Sequence, residues 1–383
     1  MRTSFFRDLD RSRTRVPTHL IRAACAEDPE QALRHWDLWR NSVHGLEHVE
    51  PGCARLFPRI HSVIRTCRPG DPDLSFLEET YRLTWFSNQR LLGALAQFLD
   101  LTHPIGIPVM LFKGAAVLGT CYPDEGTCFM ADVDVAVARG SLNQLADTLD
   151  QAGWRRRPLE TPRGSPIHQS EPFAAPGGEP VEIHWDLLRW PTRTVAEETL
   201  WETAETIGIR GRPCRTPSNE DLLLQILVRG FTAEKIRQWR WMVDSSLLIR
   251  KRPLKWERFH AEAVRRGVAM MCAEALEFLG DTTSLDLDRE IIRILRKTAP
   301  PPDRAIHIHF TGEYRHLGIR SFFCLLRLKW QAAIHEGKID PGIRGWARFF
   351  IMWSAIKLNR AFSWKLKTPP GPSERSYRPS IRP

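Results

Sequence analysis

Residues 130–137 read Met130-Ala131-Asp132-Val133-Asp134-Val135-Ala136-Val137, and this alternation predicts the centre of the fold. Two carboxylates alternate with apolar residues, so both side chains would project from one face of a β-strand. Like charges at that spacing repel each other, and burial adds a desolvation cost to each. A divalent cation offsets both effects, and Mg²⁺ prefers a few carboxylate oxygens together with substrate phosphates. The run therefore predicts a site for Mg²⁺ or Mn²⁺.

An Asp-x-Asp pair alone is also typical of a solvated strand edge or a turn. The segments that flank Asp132 and Asp134 make a functional site the stronger interpretation. Ile107-Pro108-Val109-Met110-Leu111-Phe112 reads as a buried strand. Lys113-Gly114-Ala115 follows as a tight turn into a helix rich in small residues. Val181-Glu182-Ile183-His184-Trp185 is a second alternating run with an acidic residue near its start. A third carboxylate from a neighbouring strand would allow a two-metal site, which suits in-line displacement at phosphorus.

This order resembles the nucleotidyltransferase superfamily of DNA polymerase β, in which a glycine turn precedes an Asp-x-Asp strand and a later acidic strand. More narrowly, it is similar to a bacterial nucleotidyltransferase family with Leu-Lys-Gly-Ala, Met-Ser-Asp-x-Asp and Val-Glu-x-His-Trp motifs. The resemblance runs from about Leu83 to about Leu248. It implies an α+β fold: a polymerase β-like core, made of a small mixed sheet with helices, flanked by N- and C-terminal helical regions.

The resemblance implies metal-dependent transfer of a nucleotidyl group from an NTP to an acceptor, with release of pyrophosphate. Asp132, Asp134 and Glu182 would be catalytic and would hold the metal, Mg²⁺ or Mn²⁺. Glu182 could also take the proton of the acceptor. Lys113-Gly114-Ala115 would bind the nucleotide, expected to be ATP, because backbone N–H groups at a helix N-terminus favour phosphate.

Four further residues are candidates for substrate binding. His184 lies two residues after Glu182 and would share its strand face. His168 stands in a loop rich in Pro and Gly, while Arg229 and Asp244 belong to later helices. A salt bridge to an arginine is the alternative role for Asp244.

Two positions depart from the family pattern. The family usually has an arginine where this chain has Cys128, and a histidine near the position of Arg229. Unusual specificity and loss of activity both stay open. The alternatives to nucleotidyl transfer are phosphoryl transfer by the same site and a degenerate nucleotide-binding or scaffold protein. The acceptor is left open among a small molecule, a peptide and a sugar, in modified-peptide or polysaccharide biosynthesis.

Composition places the chain among ordinary globular proteins. It has 383 residues, of which 42% are hydrophobic and 26% charged, and a net charge of +10. The positive charge suits an anionic partner, but no nucleic-acid-binding motif is found, so no specific nucleic acid is expected. The eight cysteines include no Cys-x-x-Cys pair and are expected to be reduced thiols. No run is apolar enough to span a membrane, and the charged N-terminus does not resemble a secretory signal, so we expect a cytoplasmic protein.

The pattern of helices and loops predicts five segments. A helix is expected over Glu234–Arg250, and Ala299–Asp303 reads as a linker. The aromatic and basic helix expected over 343–365 could contact an anionic membrane surface or pack on the helical domain. In chain order, the segments are an N-terminal helical region (1–100), the nucleotidyltransferase core (101–215), a helical domain (216–300), C-terminal basic aromatic helices (301–365) and a disordered tail (366–383).

Overall fold

The structure is a computed structural model that describes residues 16–158, 169–188, 192, 197–233, 235–311, 319–335 and 342. His168 and the segments 343–365 and 366–383 lie outside the described residues. The predictions of a substrate contact for His168, of membrane contact through 343–365 and of a disordered tail therefore stay predictions.

Within the described part of the chain, seven strands form one mixed sheet in the order β3-β4-β5-β2-β1-β7-β6. The strands are β1 (Met110–Leu111), β2 (Val133–Ala136), β3 (Arg155–Arg156), β4 (Ser170–Ala174), β5 (Pro180–His184), β6 (Glu205–Ile209) and β7 (Arg212–Thr216).

The pairing of β2 with β5 positions the two acidic runs side by side. The strands are parallel, and Asp134 is the register partner of Glu182, as Ala136 is of His184. Residues paired across parallel strands point to the same face of a sheet, with strands about 4.8 Å apart. On its other side β2 pairs with β1 in the antiparallel sense. Every residue of β2 is buried, as expected for a central strand covered on both faces.

Along the described part of the chain, eight α-helices precede the strands or lie between them in sequence. Asp28 caps the second of them by accepting hydrogen bonds from the N–H groups of Glu30 and Gln31. The long helix α5 contacts β2, β5 and β7. These helices are α1 (Thr18–Cys25), α2 (Pro29–Arg40), α3 (Pro51–Ala54), α4 (Phe57–Cys67), α5 (Leu74–Thr102), α6 (Lys113–Cys121), α7 (Leu142–Gln151) and α8 (Glu198–Glu202).

The helices after the sheet cover α6, which carries the glycine turn at its start. They are α9 (Asn219–Gly230), α10 (Arg240–Lys251), α11 (Trp256–Arg265), α12 (Ala269–Thr283), α13 (Arg289–Thr298), α14 (Pro301–Thr311) and α15 (Ile319–His335). Both α9 and α10 contact α6. In α9 every residue except Arg229 is buried. Ser218 caps the start of this helix, because its hydroxyl accepts a hydrogen bond from the N–H of Asp221.

The predicted α+β fold, a mixed sheet with helical regions before and after it along the chain, is confirmed. One cluster of buried apolar side chains extends from Leu20 to Phe310. The domain limits proposed from the sequence stay proposals. Among the described helices, none combines the length and hydropathy needed to cross a lipid bilayer.

Three local predictions are wrong. The expected linker Ala299–Asp303 contains the start of α14, whose first residue is a proline, a position where proline costs no helical hydrogen bond. The helix expected over Glu234–Arg250 begins only at Arg240, after a series of turns. The strand expected over Ile107–Phe112 is reduced to Met110–Leu111.

Gly230→Ala should destabilise the junction of α9 and α10. A Cβ at Gly230 would overlap the ring and the Cβ of Trp241, a buried side chain that follows Arg240. Overpacking of this kind costs about 1–3 kcal/mol. Gly93→Ala is the matched control, since no atom lies within 4 Å of a Cβ there. It should leave stability unchanged or raise it by up to about 1 kcal/mol because Gly93 lies inside α5.

The free energy of unfolding in urea checks both variants. Equal stability of Gly230→Ala and the wild type would contradict the close helix contact.

Candidate active site

A cavity of about 350 Å³ opens beside β2, β5 and the start of α6. This volume is in the range of small-molecule sites. Its lining includes the carboxylates of Asp132, Asp134, Glu182 and Asp244. The basic side chains that line the cavity are Arg55, Lys113, Arg229, Lys235 and Arg240.

The three predicted carboxylates all reach this cavity, but from different depths. Asp134 is on β2 and only 3% exposed. Asp132 precedes the strand and is half-buried. Burial raises the pKa of Asp132, and the nearby charge of Asp134 raises it further. Glu182 stands on β5, where Ser170 donates a hydrogen bond from Oγ to its Oε1.

The ammonium group of Lys113 offsets the negative charge of two of these carboxylates. Its Nζ donates a hydrogen bond to Asp134 Oδ1 and another, of 3.2 Å, to Glu182 Oε2. The same Nζ lies 3.1 Å from His184 Nε2. The sequence predicts that a divalent cation offsets the paired carboxylates and that Lys113 meets phosphate. In the structure its ammonium group contacts the carboxylates, and the metal and phosphate contacts stay predictions.

His184 joins the same cluster. Its Nε2 lies 2.8 Å from Asp134 Oδ1 and 3.3 Å from Glu182 Oε2. Burial by itself would raise the pKa of Asp134, but Lys113 and His184 hold it below its ordinary value. Burial also opposes ionisation of Glu182, yet the hydrogen bonds and charges of His184 and Lys113 hold its pKa far below the usual range. Asp134 and Glu182 are therefore ionised at neutral pH.

The backbone at Lys113 is held in an unusual conformation. Its φ of 49° is in the left-handed region, which costs a non-glycine residue about 1–2 kcal/mol. The N–H of Lys113 donates a 2.9 Å hydrogen bond to Oε1 of Gln225, and Nε2 of Gln225 donates to the carbonyl of Leu187. Gln225 lies on α9 and is 1% exposed. This buried amide fixes the turn from β1 into α6.

Arg240 is a site residue that sequence reasoning missed. Its guanidinium lies against the glycine turn, so that a Cβ on Gly114 would be 3.3 Å from Nη1. Nη1 also donates to the carbonyl of Phe129 and lies 3.7 Å from Cys128 Sγ. A guanidinium from α10 thus lies beside Cys128, the position at which the family pattern has an arginine.

Asp244 fixes that guanidinium. Its Oδ2 lies 3.3 Å from Arg240 Nε, one helical turn earlier, and Tyr122 donates a 2.7 Å hydrogen bond to its Oδ1. Burial alone would lower the pKa of Arg240, but Asp244 raises it, so the guanidinium stays charged. Of the two roles considered for Asp244, the structure has the ion pair. The i, i+4 spacing of Arg240 and Asp244 was the sequence signal that pointed to it.

The remaining basic side chains lie away from the sheet. Arg229, a predicted substrate residue, is the only residue of α9 that is not buried, and it lines the cavity. Arg55 stacks 5.0 Å from the ring centre of Phe129 and donates a 2.7 Å hydrogen bond to Gln238.

The acidic cluster fits a divalent cation. Ligand atoms of Asp134, Glu182 and His184 all lie within 4.8 Å of one another. Carboxylate oxygens are hard ligands, and a negative donor set of this size is typical of a metal site.

A family model described as an uncharacterised nucleotidyltransferase matches residues 54–282. The chain belongs to this family. The match contains all three carboxylates, the glycine turn and Arg240, and it confirms the family resemblance and the class of enzyme, a nucleotidyltransferase. No curated protein is significantly similar to the chain in sequence.

Three solved structures show a weak likeness to the chain. A solution structure of the antibiotic-resistance factor ANT(2'')-Ia shares 14% identity, covering 58% of this chain and 97% of that one, with a TM-score of 0.31. A crystal structure of ANT(2'')-Ia with adenylyl-2''-tobramycin shares 14% identity over 49% and 97%, with a TM-score of 0.31. A nucleotidyltransferase-like protein from Paracoccidioides brasiliensis shares 17% identity over 57% and 93%, with a TM-score of 0.33.

Gln225→Leu should destabilise the fold and loosen the turn at Lys113. Leucine has a similar volume, but it leaves the N–H of Lys113 and the carbonyl of Leu187 without their partner. Each buried polar group left unpaired costs about 1–3 kcal/mol. Urea unfolding measures the change. Gln144→Leu on the exposed face of α7 is the control and should lie within about 0.5 kcal/mol of the wild type. An unchanged free energy of unfolding for Gln225→Leu would show that the turn does not need this amide.

Proposed function

We propose that this chain transfers a nucleotidyl group from an NTP, expected to be ATP, to an acceptor and releases pyrophosphate. The observation that carries the proposal is that Asp132, Asp134 and Glu182 line one cavity together with Lys113 and Gly114 of the glycine turn. Membership of a nucleotidyltransferase family supports the same reaction. The intact carboxylate set argues against a degenerate scaffold.

Asp134 and Glu182, with Asp132 at the mouth of the cluster, would hold Mg²⁺ or Mn²⁺. When bound, the cation supplies charge neutralisation at the triphosphate and lowers the pKa of the acceptor hydroxyl. His184 contributes by orienting Asp134 through the contact between its Nε2 and Oδ1. Glu182 would hold the metal with Asp132 and Asp134 and would also be near enough to the acceptor hydroxyl to take its proton.

The triphosphate would lie along the start of α6. Gly114 allows close approach of the backbone there, and N–H groups at the first turn of a helix favour an anion. Arg240 is already beside Gly114, charged and held by Asp244. A guanidinium fixed in this way can bind phosphate with two parallel hydrogen bonds. We therefore add Arg240 to the nucleotide-binding residues.

The basic side chains limit the choice of acceptor. The basic side chains of Arg55, Arg229 and Lys235 line the cavity. A polycationic acceptor would be repelled by them. We propose a neutral or anionic acceptor, whether a small molecule, a sugar or a peptide.

The test is incubation of the protein with α-³²P- or γ-³²P-labelled NTP, Mg²⁺ or Mn²⁺, and a panel of acceptors. Transfer of the α label with release of pyrophosphate supports the proposal. Transfer of the γ label instead would assign phosphoryl transfer to the site, and no transfer with any acceptor in the panel, together with no metal-dependent NTP binding, would contradict both.

Gly114→Val should weaken NTP binding while the fold survives. A valine side chain would stand between the α6 backbone and phosphate, and its Cβ would press on Arg240 Nη1 at 3.3 Å and on Met130 Cγ at 3.3 Å. We expect a loss of about tenfold or more, which is about 1.4 kcal/mol. Calorimetry with Mg²⁺ and ATP measures it.

Gly140→Val is the control for this change, since no atom lies within 4 Å of a Cβ at Gly140. It should bind ATP as the wild type does. Normal ATP binding by Gly114→Val would make the turn purely structural.

Asp132→Asn and Asp134→Asn should separate catalysis from stability. Each removes one negative charge from the proposed metal site, and loss of one preorganised electrostatic group typically costs about 10² or more in rate. Asp132 has a raised pKa through burial and Asp134, so its neutralisation should leave the melting temperature level or slightly higher. Asp134 is the buried partner of Lys113, and removing one partner of such a pair costs about 3–5 kcal/mol.

Label transfer and thermal unfolding in metal-free buffer measure the two effects. If Asp132→Asn loses as much stability as Asp134→Asn, Asp132 is a structural acid. If either variant keeps the full rate of an established transfer reaction, its carboxylate does not serve the reaction.

A further inference from the structure

The ammonium group of Lys113 occupies the place where a metal would bind. Nζ is within hydrogen-bonding distance of Asp134 Oδ1, Glu182 Oε2 and His184 Nε2. These are the same side chains whose ligand atoms lie within 4.8 Å of one another. A divalent cation bonded to those oxygens at about 2.1 Å would overlap the position of Nζ. The two cations cannot occupy the cluster together.

We propose that Lys113 is an exchangeable internal cation that excludes divalent metal from the acidic cluster until the nucleotide arrives. When the metal–NTP complex enters, the ammonium group leaves the carboxylates for the phosphates, and the divalent cation takes its place. Lys113 is in this sense a positioning residue that sets the order of binding. The inference rests on the proposed function, because it assumes that the acidic cluster is the metal site.

The geometry at residue 113 separates a fixed backbone from a movable side chain. The backbone N–H is pinned by Gln225, a buried side chain on α9. The side chain is 16% exposed and lines the cavity, so it has room on one side. Lysine has four methylene groups and a compact ammonium, so it can turn from one anion to another while its Cα stays in place. The next residue is Gly114, where the phosphates would lie.

The charge balance of the cluster favours the exchange only when both ligands arrive together. With Lys113 in place, the ionised Asp134 and Glu182 share a positive partner in a largely buried site. A metal ion alone would have to displace that ammonium into a cavity already lined by Arg229, Lys235 and Arg240. With NTP present, the displaced ammonium instead gains the phosphates as partner. We therefore expect weak binding of metal alone and strong binding of metal together with NTP.

The test is equilibrium dialysis of Mn²⁺ against the full chain, with and without ATP that carries a methylene bridge between the α- and β-phosphates. The difference in Mn²⁺ concentration between the protein side and the buffer side of the membrane measures the bound metal in both conditions. The wild type should retain Mn²⁺ only with the nucleotide. Lys113→Met keeps a straight side chain at the same backbone position and should bind Mn²⁺ alone at least about tenfold more tightly, about 1.4 kcal/mol.

Two further variants define what excludes the metal. Lys113→Arg keeps the positive charge and should still need the nucleotide. Lys297→Met removes an exposed lysine on α13 that does not line the cavity, and it should behave as the wild type in metal binding. The melting temperature gives a second readout, since Lys113→Met leaves Asp134 and Glu182 unpaired. It should be lower than the wild type in EDTA and should rise with Mn²⁺ alone, whereas the wild type should not respond.

Retention of Mn²⁺ by the wild type without nucleotide, as tight as by Lys113→Met, would overturn the inference and leave the metal site and the proposed reaction standing. This arm does not depend on the folding of any variant. Retention by Lys113→Arg as tight as by Lys113→Met would also overturn it, because charge would not be what excludes the metal. Failure of every protein to retain Mn²⁺, with nucleotide as well as without, would overturn the metal site and the inference together.

Discussion

The structure depends on the parallel pairing of β2 with β5. That pairing brings Asp134 and Glu182 into register in the interior of a mixed sheet. Two carboxylates held this close carry a high electrostatic cost unless positive charge is built around them. The protein supplies it locally from Lys113, which follows β1, and His184 on β5 adds a contact to Asp134 Oδ1. The surrounding helices and strands hold these four side chains in one hydrogen-bonded cluster.

That support comes from helices far along the chain. Gln225 on α9 fixes the turn that carries Lys113, and Arg240 on α10 lies against Gly114. Both helices contact α6, so the side chains that would face a nucleotide and those that would hold a metal are positioned by one set of contacts. Buried polar groups in such an arrangement must all be satisfied, because one unpaired group costs as much as several good contacts contribute.

Much of this arrangement follows from the sequence. Alternation of Asp132 and Asp134 with apolar residues predicts a strand with acidic side chains, and the capping serine at 218 predicts the start of α9. What short-range patterns cannot predict is which distant groups meet. The contact of Arg240 with the glycine turn joins residues that are 126 positions apart, and only tertiary packing creates it. The place of Lys113 depends likewise on the register of three strands. The proline run after Ala299 was misleading because proline both ends and begins helices.

The basic side chains that line the cavity affect how this protein can diversify. Arg55 comes from the segment between α3 and α4, Arg229 from α9 and Lys235 from the turns before α10, so none of these side chains lies on the sheet. The carboxylate cluster and these basic side chains thus come from separate parts of the chain. Substitutions of these basic side chains do not change the residues that pair β2 with β5. On the proposed function, a lineage of such proteins can exchange one acceptor for another while the carboxylate cluster stays constant. A protein engineer can vary the same positions without rebuilding the sheet.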